Sequence, residues 1–178
     1  GHSTFLIQCD GLNILTDPIW SNRCAPVQWA GPRRIVPPGI PFGHLPPIDL
    51  VLQSHDHYDH FDDWSVRAMA HAHPDARWCT PLGVGRRLTS RGVRNVTELD
   101  WWQRAEPDGA QVTCVPAQHF SGRTPFDRNT TLWSGFSARI LPVTAALSFR
   151  SIVSARIASS PPISKATTVA ICFNMLGR

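Results

Sequence analysis

No Cys-x-x-Cys pair occurs in this chain, and its five cysteines, Cys9, Cys24, Cys79, Cys114 and Cys172, are odd in number and far apart. That spacing argues against a disulfide framework or a cysteine zinc knuckle; buried single thiols in a reducing compartment are expected instead. There is no run of about 18 apolar residues, so no membrane-spanning helix is expected. No basic-then-apolar leader opens the chain. It starts at Gly1 without Met and runs directly into strand-like sequence, so an N-terminally incomplete chain is expected. Gly-x-Ser-x-Gly, the phosphate-cradling P-loop and Gly-x-Gly-x-x-Gly are all missing, which argues against serine-elbow hydrolases, P-loop nucleotidases and dinucleotide enzymes. "GVG" at 83–85 falls in a helical stretch and carries no such meaning. No internal repeat is present.

Negative charge is missing from one end. Residues 1–127 hold all 13 acids and 11 of the 17 Lys and Arg, a net −2; residues 128–178 hold six Lys and Arg and no acid, a net +6. A basic end can serve nucleic acid or an anionic membrane. Here the six charges are scattered and form no block, and Trp101-Trp102 has no basic groove around it, so those tryptophans read as packing and no nucleic-acid partner is expected.

What is present is one domain's worth of chain, or part of a larger domain: 178 residues, 42% apolar. "TFLIQCDGLNILTD" predicts two strands around an Asp10-Gly11 turn. Residues 18–47, rich in Pro, Gly, Trp and Arg, predict a long irregular loop of the kind that often carries function. "IDLVLQS" (48–54) predicts a buried strand. Asp62 or Asp63 caps a predicted helix through "WSVRAMAHAH", stopped by Pro74. "ARWCT" predicts a strand, "LGVGRRLTSR" a helix closed by Gly92, and "NVTEL", "QVTCVPA" (111–117) and "TTLWSGFSA" (130–138) further strands. Strands alternating with helices indicate an α/β layered domain. After about residue 139 the sequence loses turn logic and period, and reads as degenerate helix or disorder.

The chemistry concentrates in "SHDHYDHFDD", residues 54–63. Imidazole nitrogen and carboxylate oxygen are good ligands for zinc and similar divalent cations. In an extended segment His55 and His57 point the same way, because side chains alternate with period two. If the chain then turns into a helix, Asp59 and His60 can face a second metal. The cluster follows an apolar strand, and the carboxyl ends of strands are where α/β folds place their chemistry. His119, after "QVTCVPA", could reach the same rim, although such a histidine taken alone is more often solvent-facing. His71 and His73 form a second His-x-His within a predicted helix, where i and i+2 diverge, and read as surface residues. His2 and His44 read the same way.

The H-x-H-x-D-H order resembles the metallo-β-lactamase superfamily. "GHSTFLIQ", "ILTDPIWSNRCAP", "GPRR", "LPPIDLVLQSHDHYDHFD", "PLG", "NVTELDWW" and "PAQHFSGRTPFDRNTTLWSGF" narrow the resemblance to the branch of N-acylphosphatidylethanolamine-hydrolysing phospholipase D, over about residues 1–138. The resemblance implies an α/β fold, an αββα sandwich with a two-zinc site at its rim. His55, His57 and His119 would hold the first zinc; Asp59 and His60 would help hold the second, with Asp59 also in the catalytic role. A metal-held hydroxide would attack a phosphodiester. The substrate implied is a phospholipid or another small ester or phosphodiester, with peripheral membrane contact through the 18–47 loop. The place implied is the cytoplasm or the inner face of its membrane.

The chain departs from that pattern at its end. The family next supplies Ala-Gly-Asp-Ser/Thr-Gly, whose Asp bridges the metals, then a further His and a second βα half. No Asp, Glu or His follows Trp133. Residues 1–138 therefore read as the N-terminal half of the sandwich and 139–178 as an aberrant, out-of-frame tail. From one half alone, the apolar faces of "IDLVLQS" and "QVTCVPA" are expected to lack a covering sheet, and one zinc is expected in place of two. The rival readings are a hydrolase of the same fold acting on a lactone, thioester, β-lactam or RNA phosphodiester, and an inactive remnant binding at most one metal. The frame is testable at the gene. "LPVTAA" (141–146) can be encoded CTG CCG GTG ACA GCG GCT, which from its third base reads Ala-Gly-Asp-Ser-Gly; "AICFNM" (170–175) can likewise hide Tyr-Met-Leu-Gln-His. DNA sequencing is expected to find Ala-Gly-Asp-Ser/Thr-Gly in a shifted frame downstream of codon 138, and its absence from every frame refutes the frameshift.

Overall fold

The computed structural model describes residues 4–141 and 168–171. Strands β1 (Leu6–Cys9) and β2 (Leu12–Thr16) form a hairpin. Both turn residues sit at positive φ, Asp10 at 48° and Gly11 at 83°, the backbone that a two-residue primed turn requires. From β2 the sheet continues in parallel through β3 (Leu50–Leu52), β4 (Arg77–Pro81) and β5 (Asn95–Leu99). Helix α1 (Asp63–Ala72) joins β3 to β4, and the short α2 (Gly85–Thr89) joins β4 to β5. A second, antiparallel sheet has the order β6 (Arg104–Ala105), β7 (Ala110–Val115), β8 (Gly135–Ile140), β9 (Thr168–Ile171).

The strand patterns explain the layering. In β3 all three residues are buried, as both faces of a central parallel strand must be. Leu50 and Leu52 face Val112, Cys114 and Phe136 of the second sheet, while Val51 joins Phe61, Val66 and Met69 under the helices. Strand β7 alternates, with Ala110, Val112 and Cys114 buried and the residues between them half-buried, so one face packs inward. The result is the expected α/β sandwich with three layers described: helices, the mixed sheet, the antiparallel sheet. Among the described residues no helix covers the outer face of the second sheet.

Several expectations need correction. The apolar faces of 48–54 and 111–117 do not lack a partner: the two sheets cover each other, and Leu50, Leu52, Val112 and Cys114 are at most 2% exposed. The strand expected over 130–138 begins at Gly135, because Leu132 and Ser134 spend their N–H groups on the loop carbonyls of Leu82 and Ser54 (2.8 and 3.0 Å). Two-residue β6 carries too short a pattern to be seen in sequence. The tail is not without regular structure, since Thr168–Ile171 pairs antiparallel with β8, Phe136 standing opposite Ile171. Residues 142–167 and 172–178, on which most of the out-of-frame reading falls, lie outside the described residues, as does His2. Cys79 and Cys114 are buried free thiols as expected, while Cys9 and Cys24 are half-buried.

Among the described residues, Phe136 is the large aromatic fully buried in the inter-sheet core, at 1% exposure, with Trp101 packed at its edge. Truncating it leaves a cavity that rigid sheets cannot close. Phe136→Ala is expected to lower stability by about 3–5 kcal/mol in equilibrium denaturant unfolding; a loss below about 1 kcal/mol would mean that the sheets do not pack as described.

Candidate metal centre

The centre is built around one buried carboxylate. Asp17 follows β2 with a positive φ of 33° and no exposure to solvent. Because Thr16 is in parallel register with Leu52, Asp17 lies beside the residues that leave β3. Its Oδ1 accepts from the Ser54 N–H (2.7 Å) and from Gln53 Nε2 (3.0 Å). Its Oδ2 accepts from the Ser54 hydroxyl (2.7 Å) and from His60 Nδ1 (2.7 Å). Gln53 Nε2 also reaches the carbonyls of His55 and His60, both at 3.0 Å, and so ties the start of the loop to its end.

This network sets the imidazole tautomers. The Ser54 hydroxyl gives its proton to Asp17, so at 2.8 Å it accepts from His55 Nδ1–H. That leaves the lone pair of His55 on Nε2, aimed into the centre. His60 likewise spends Nδ1–H on Asp17 and turns Nε2 toward Asp59. Such relays fix ring orientation and raise ligand basicity.

His119, carried by the loop after β7, brings its Nε2 to 3.1 Å from His55 Nε2 and 3.1 Å from His57 Nδ1. The three donor nitrogens all lie within 4.8 Å of one another. Tetrahedral ligands at about 2.0–2.1 Å from a zinc ion stand about 3.3 Å apart, so this set fits such a cation closely. Burial pushes the His57 pKa down from its ordinary value. His119 is lowered too, by burial and by its neighbours His57 and His60. Lowered values keep these rings neutral, as ligands must be.

Of the five residues expected at the site, the structure gathers His55, His57 and His119 into one donor set. His60 abuts that set, its ring centroid 4.2 Å from that of His55. Asp59 Oδ2 stands 3.7 Å from His60 Nε2 on the solvent side. Among the described residues, no third donor joins Asp59 and His60 in a set of their own. His71 is exposed as expected, but His73 caps α1 and its Nδ1 accepts from the Ile48 N–H at 3.3 Å. His44 is exposed. Trp101 packs on Trp133 with ring centroids 5.8 Å apart and donates Nε1–H to the Trp133 carbonyl, a packing role as read from sequence, whereas Trp102, read the same way, stands 69% exposed.

Sequence reasoning missed the supports, apart from the α1 cap, for which Asp62 is one of two candidates. Asp17 has no local signature beyond standing between a strand and Pro18. Asp56, between His55 and His57, is buried: its Oδ1 accepts from the Gly122 N–H (2.9 Å) and its Oδ2 pairs with Arg87 Nε (3.1 Å). Asp62 caps α1 by accepting from Ser65 N–H and also takes the Ser21 N–H at 3.2 Å, which pins the 18–47 loop beside the centre. Burial, with the charge of Asp59 adding to it, pushes the Cys24 thiol of that loop up.

Residues 12–144 match the family model described as Beta-lactamase superfamily domain. An uncharacterized protein of Mycobacterium tuberculosis is 49% identical over 139 residues, which are 77% of this chain and 37% of that protein. N-acyl-phosphatidylethanolamine-hydrolyzing phospholipase D 1 of Caenorhabditis elegans is 37% identical over 146 residues, 77% of this chain and 41% of that protein. Among solved structures, an isothiocyanate hydrolase from Delia radicum gut bacteria superposes with a TM-score of 0.56 at 21% identity, over 77% of this chain and 54% of that one; this likeness speaks for the fold alone. The chain spans about two fifths of the length of the curated relatives named here.

Asp17 makes the centre's assembly pH-dependent. Burial alone would lower the His60 pKa, but the Asp17 charge and hydrogen bond, with Asp59 behind them, outweigh it and leave it above its ordinary 6.5. A raised value means that the pair's contribution is complete below about pH 6.5 and fades as pH rises through the folded-state value. The melting temperature of metal-free protein is expected to fall over that window, and Asp17→Asn is expected to flatten the fall. Removing the carboxylate altogether in Asp17→Ala strands Gln53, Ser54 and His60, and is expected to cost about 3–5 kcal/mol. An Asp17→Ala variant as stable as the parent would refute the hub.

Proposed function

The chain belongs to the β-lactamase superfamily, and on that premise we propose that it carries the first metal site of a zinc-dependent hydrolase acting on N-acylphosphatidylethanolamine-type phosphodiesters. The observation that carries this is the three-imidazole set, with His119 Nε2 3.1 Å from a nitrogen of both His55 and His57 and the His55 tautomer fixed by Ser54 and Asp17. Three neutral imidazoles with an open fourth position are the ligand set of a catalytic, not a structural, zinc. When bound, the ion supplies Lewis acidity, lowering the pKa of a water and neutralising charge on an attacked ester. The chain's own residues do the rest. His55, His57 and His119 hold the ion. Asp59, beside His60 on the open side, offers a carboxylate for the water's proton. The likeness to the nematode phospholipase D favours a phosphodiester substrate.

The 18–48 segment supports a lipid partner. It contains Arg23, Arg33 and Arg34 and no acidic residue. Trp29, Ile35 and Val36 stand 82%, 97% and 69% exposed on it. Apolar side chains beside arginines on an acid-free lobe suit an anionic lipid surface, where the rings enter the interface and the guanidinium groups meet phosphates. No helix among the described residues is long and apolar enough to cross a membrane, so the contact proposed is peripheral.

Elemental analysis after dialysis is expected to find about one tightly held zinc per chain. His55→Ala or His57→Ala is expected to abolish binding, and His60→Ala to keep most of it. Turnover of an N-acylphosphatidylethanolamine in mixed micelles would support the substrate. Turnover of a lactone alone would move the reading to another substrate of the fold, and zinc without turnover of either would favour an inactive remnant. A chain that binds no zinc overturns the proposal.

A further inference from the structure

We infer that Arg123 is a positioning residue that locks the His119 loop onto the His55–His57 loop and so holds the three imidazoles in register. His119 comes from the second sheet, whereas His55 and His57 follow a strand of the first. Nothing in either sheet's ladder fixes the distance between these two loops. The guanidinium of Arg123 does. Its Nη1 donates to the carbonyls of Asp56 (2.8 Å) and Phe61 (2.9 Å), which bracket the segment holding His57, Asp59 and His60. Its Nη2 pairs with Asp63 Oδ1 at 3.0 Å, at the start of α1. The Tyr58 ring, between His57 and Asp59, lies against the guanidinium with its centroid 3.9 Å from Cζ.

The geometry is specific to arginine. One planar fork serves two carbonyls and a carboxylate while its face meets an aromatic ring, and a lysine ammonium cannot do all of this from one position. The side chain is 6% exposed, so water does not replace these contacts. Three residues separate Arg123 from His119, too few for its anchor to move independently. Gly122 adds a second stitch through its N–H to Asp56, at a φ of 147° where a Cβ would crowd the backbone of Arg128. Arg91 provides the comparison. It also pairs with Asp63, at 2.9 Å, and lies 5.0 Å from the centroid of the Phe61 ring, yet it donates to no carbonyl of the histidine loop.

The test pairs Arg123→Ala with Arg91→Ala, and uses one readout that needs no metal and one that does. In metal-free protein, hydrogen–deuterium exchange of segment 117–123, normalised to β7, is expected to rise about tenfold or more in Arg123→Ala and to stay near the parent's in Arg91→Ala. In a cobalt titration followed by d–d absorption, Arg123→Ala is expected to bind about 10- to 100-fold more weakly, with Arg91→Ala close to the parent. Arg123→Lys is expected to recover part of both losses. If Arg123→Ala does not fold, Arg123→Lys must still show faster exchange and weaker binding than Arg91→Ala. Parent-like exchange and affinity in Arg123→Ala, or equal losses in Arg91→Ala, overturn the inference. The cobalt readout rests on the metal reading above; if the parent protein binds no cobalt, that reading fails, while the exchange comparison still decides the role of Arg123.

Discussion

A carboxylate with no access to water must find its hydrogen bonds inside the protein. Asp17 finds four, and they come from a single stretch of chain: the Gln53 amide, the Ser54 N–H and hydroxyl, and the His60 imidazole. Satisfying one charge therefore fixes the path of residues 53–60. The position of Asp17 is in turn fixed by the parallel pairing of β2 with β3, and that pairing is fixed by burial of Ile14, Leu15 and Val51 on opposite faces of one sheet. The causal order runs from apolar alternation, to strand register, to a buried carboxylate, to histidine tautomers.

Charge around the loops is paired so that most of it points away from the imidazoles. Asp56 is met by Arg87, which also meets Asp127 at 2.9 Å; Asp63 is met by Arg91 and Arg123. Asp127 shows how tightly the outer loop is wound. Slight burial would raise its pKa, but the Thr124 and Arg123 N–H groups, the Thr124 side chain and Arg87 outweigh this and hold the carboxyl at about 2. The acids that face the histidines directly are Asp17, through His60 and Ser54, and Asp59. A cation arriving there meets negative charge on the side of His60, from Asp17 and Asp59, which favours a cation over an anion at the three-imidazole set.

Most of the first sheet was legible, for physical reasons that can be named. Asp10-Gly11 allows positive φ at two successive positions, so the hairpin was plain. A cap at Asp62 or Asp63 and the stop at Pro74 marked α1, and Asp62 takes the cap. His55 and His57 were legible because a shared side of an extended segment follows from period two. The supports were not. Asp17 lies 43 positions before His60 and Arg123 lies 60 after Asp63, and no local pattern encodes such pairings. His119 needed the family resemblance, since a lone histidine after a strand has no partner in one dimension. The covering of one sheet by the other was misjudged because the missing second half of the pattern was equated with a missing second sheet. In fact β7 and β8 already bring Val112, Cys114 and Phe136, enough apolar surface to cover Leu50 and Leu52.

The donor set also explains why so much structure is spent outside it. Three imidazole nitrogens within 4.8 Å are a poor arrangement for protons. With His55 holding its proton on Nδ1 toward Ser54, its inward Nε2 is a lone pair, and each 3.1 Å contact to His119 can share at most one proton. A second inward proton would set two positive rings against each other in a site where burial already disfavours charge. Left to itself, such a loop would relax by swinging one ring outward. The chain blocks that relaxation from two sides. Asp17 pins the strand-borne histidines through Ser54 and Gln53, and the Gly122 and Arg123 stitches pin the loop that carries His119. Preorganisation of this kind shifts the cost of gathering ligands from the moment of binding to the folding of the chain, where the packed sheets and the buried carboxylate network offset it. The centre is thus held open toward a single kind of occupant, one that accepts three lone pairs at once.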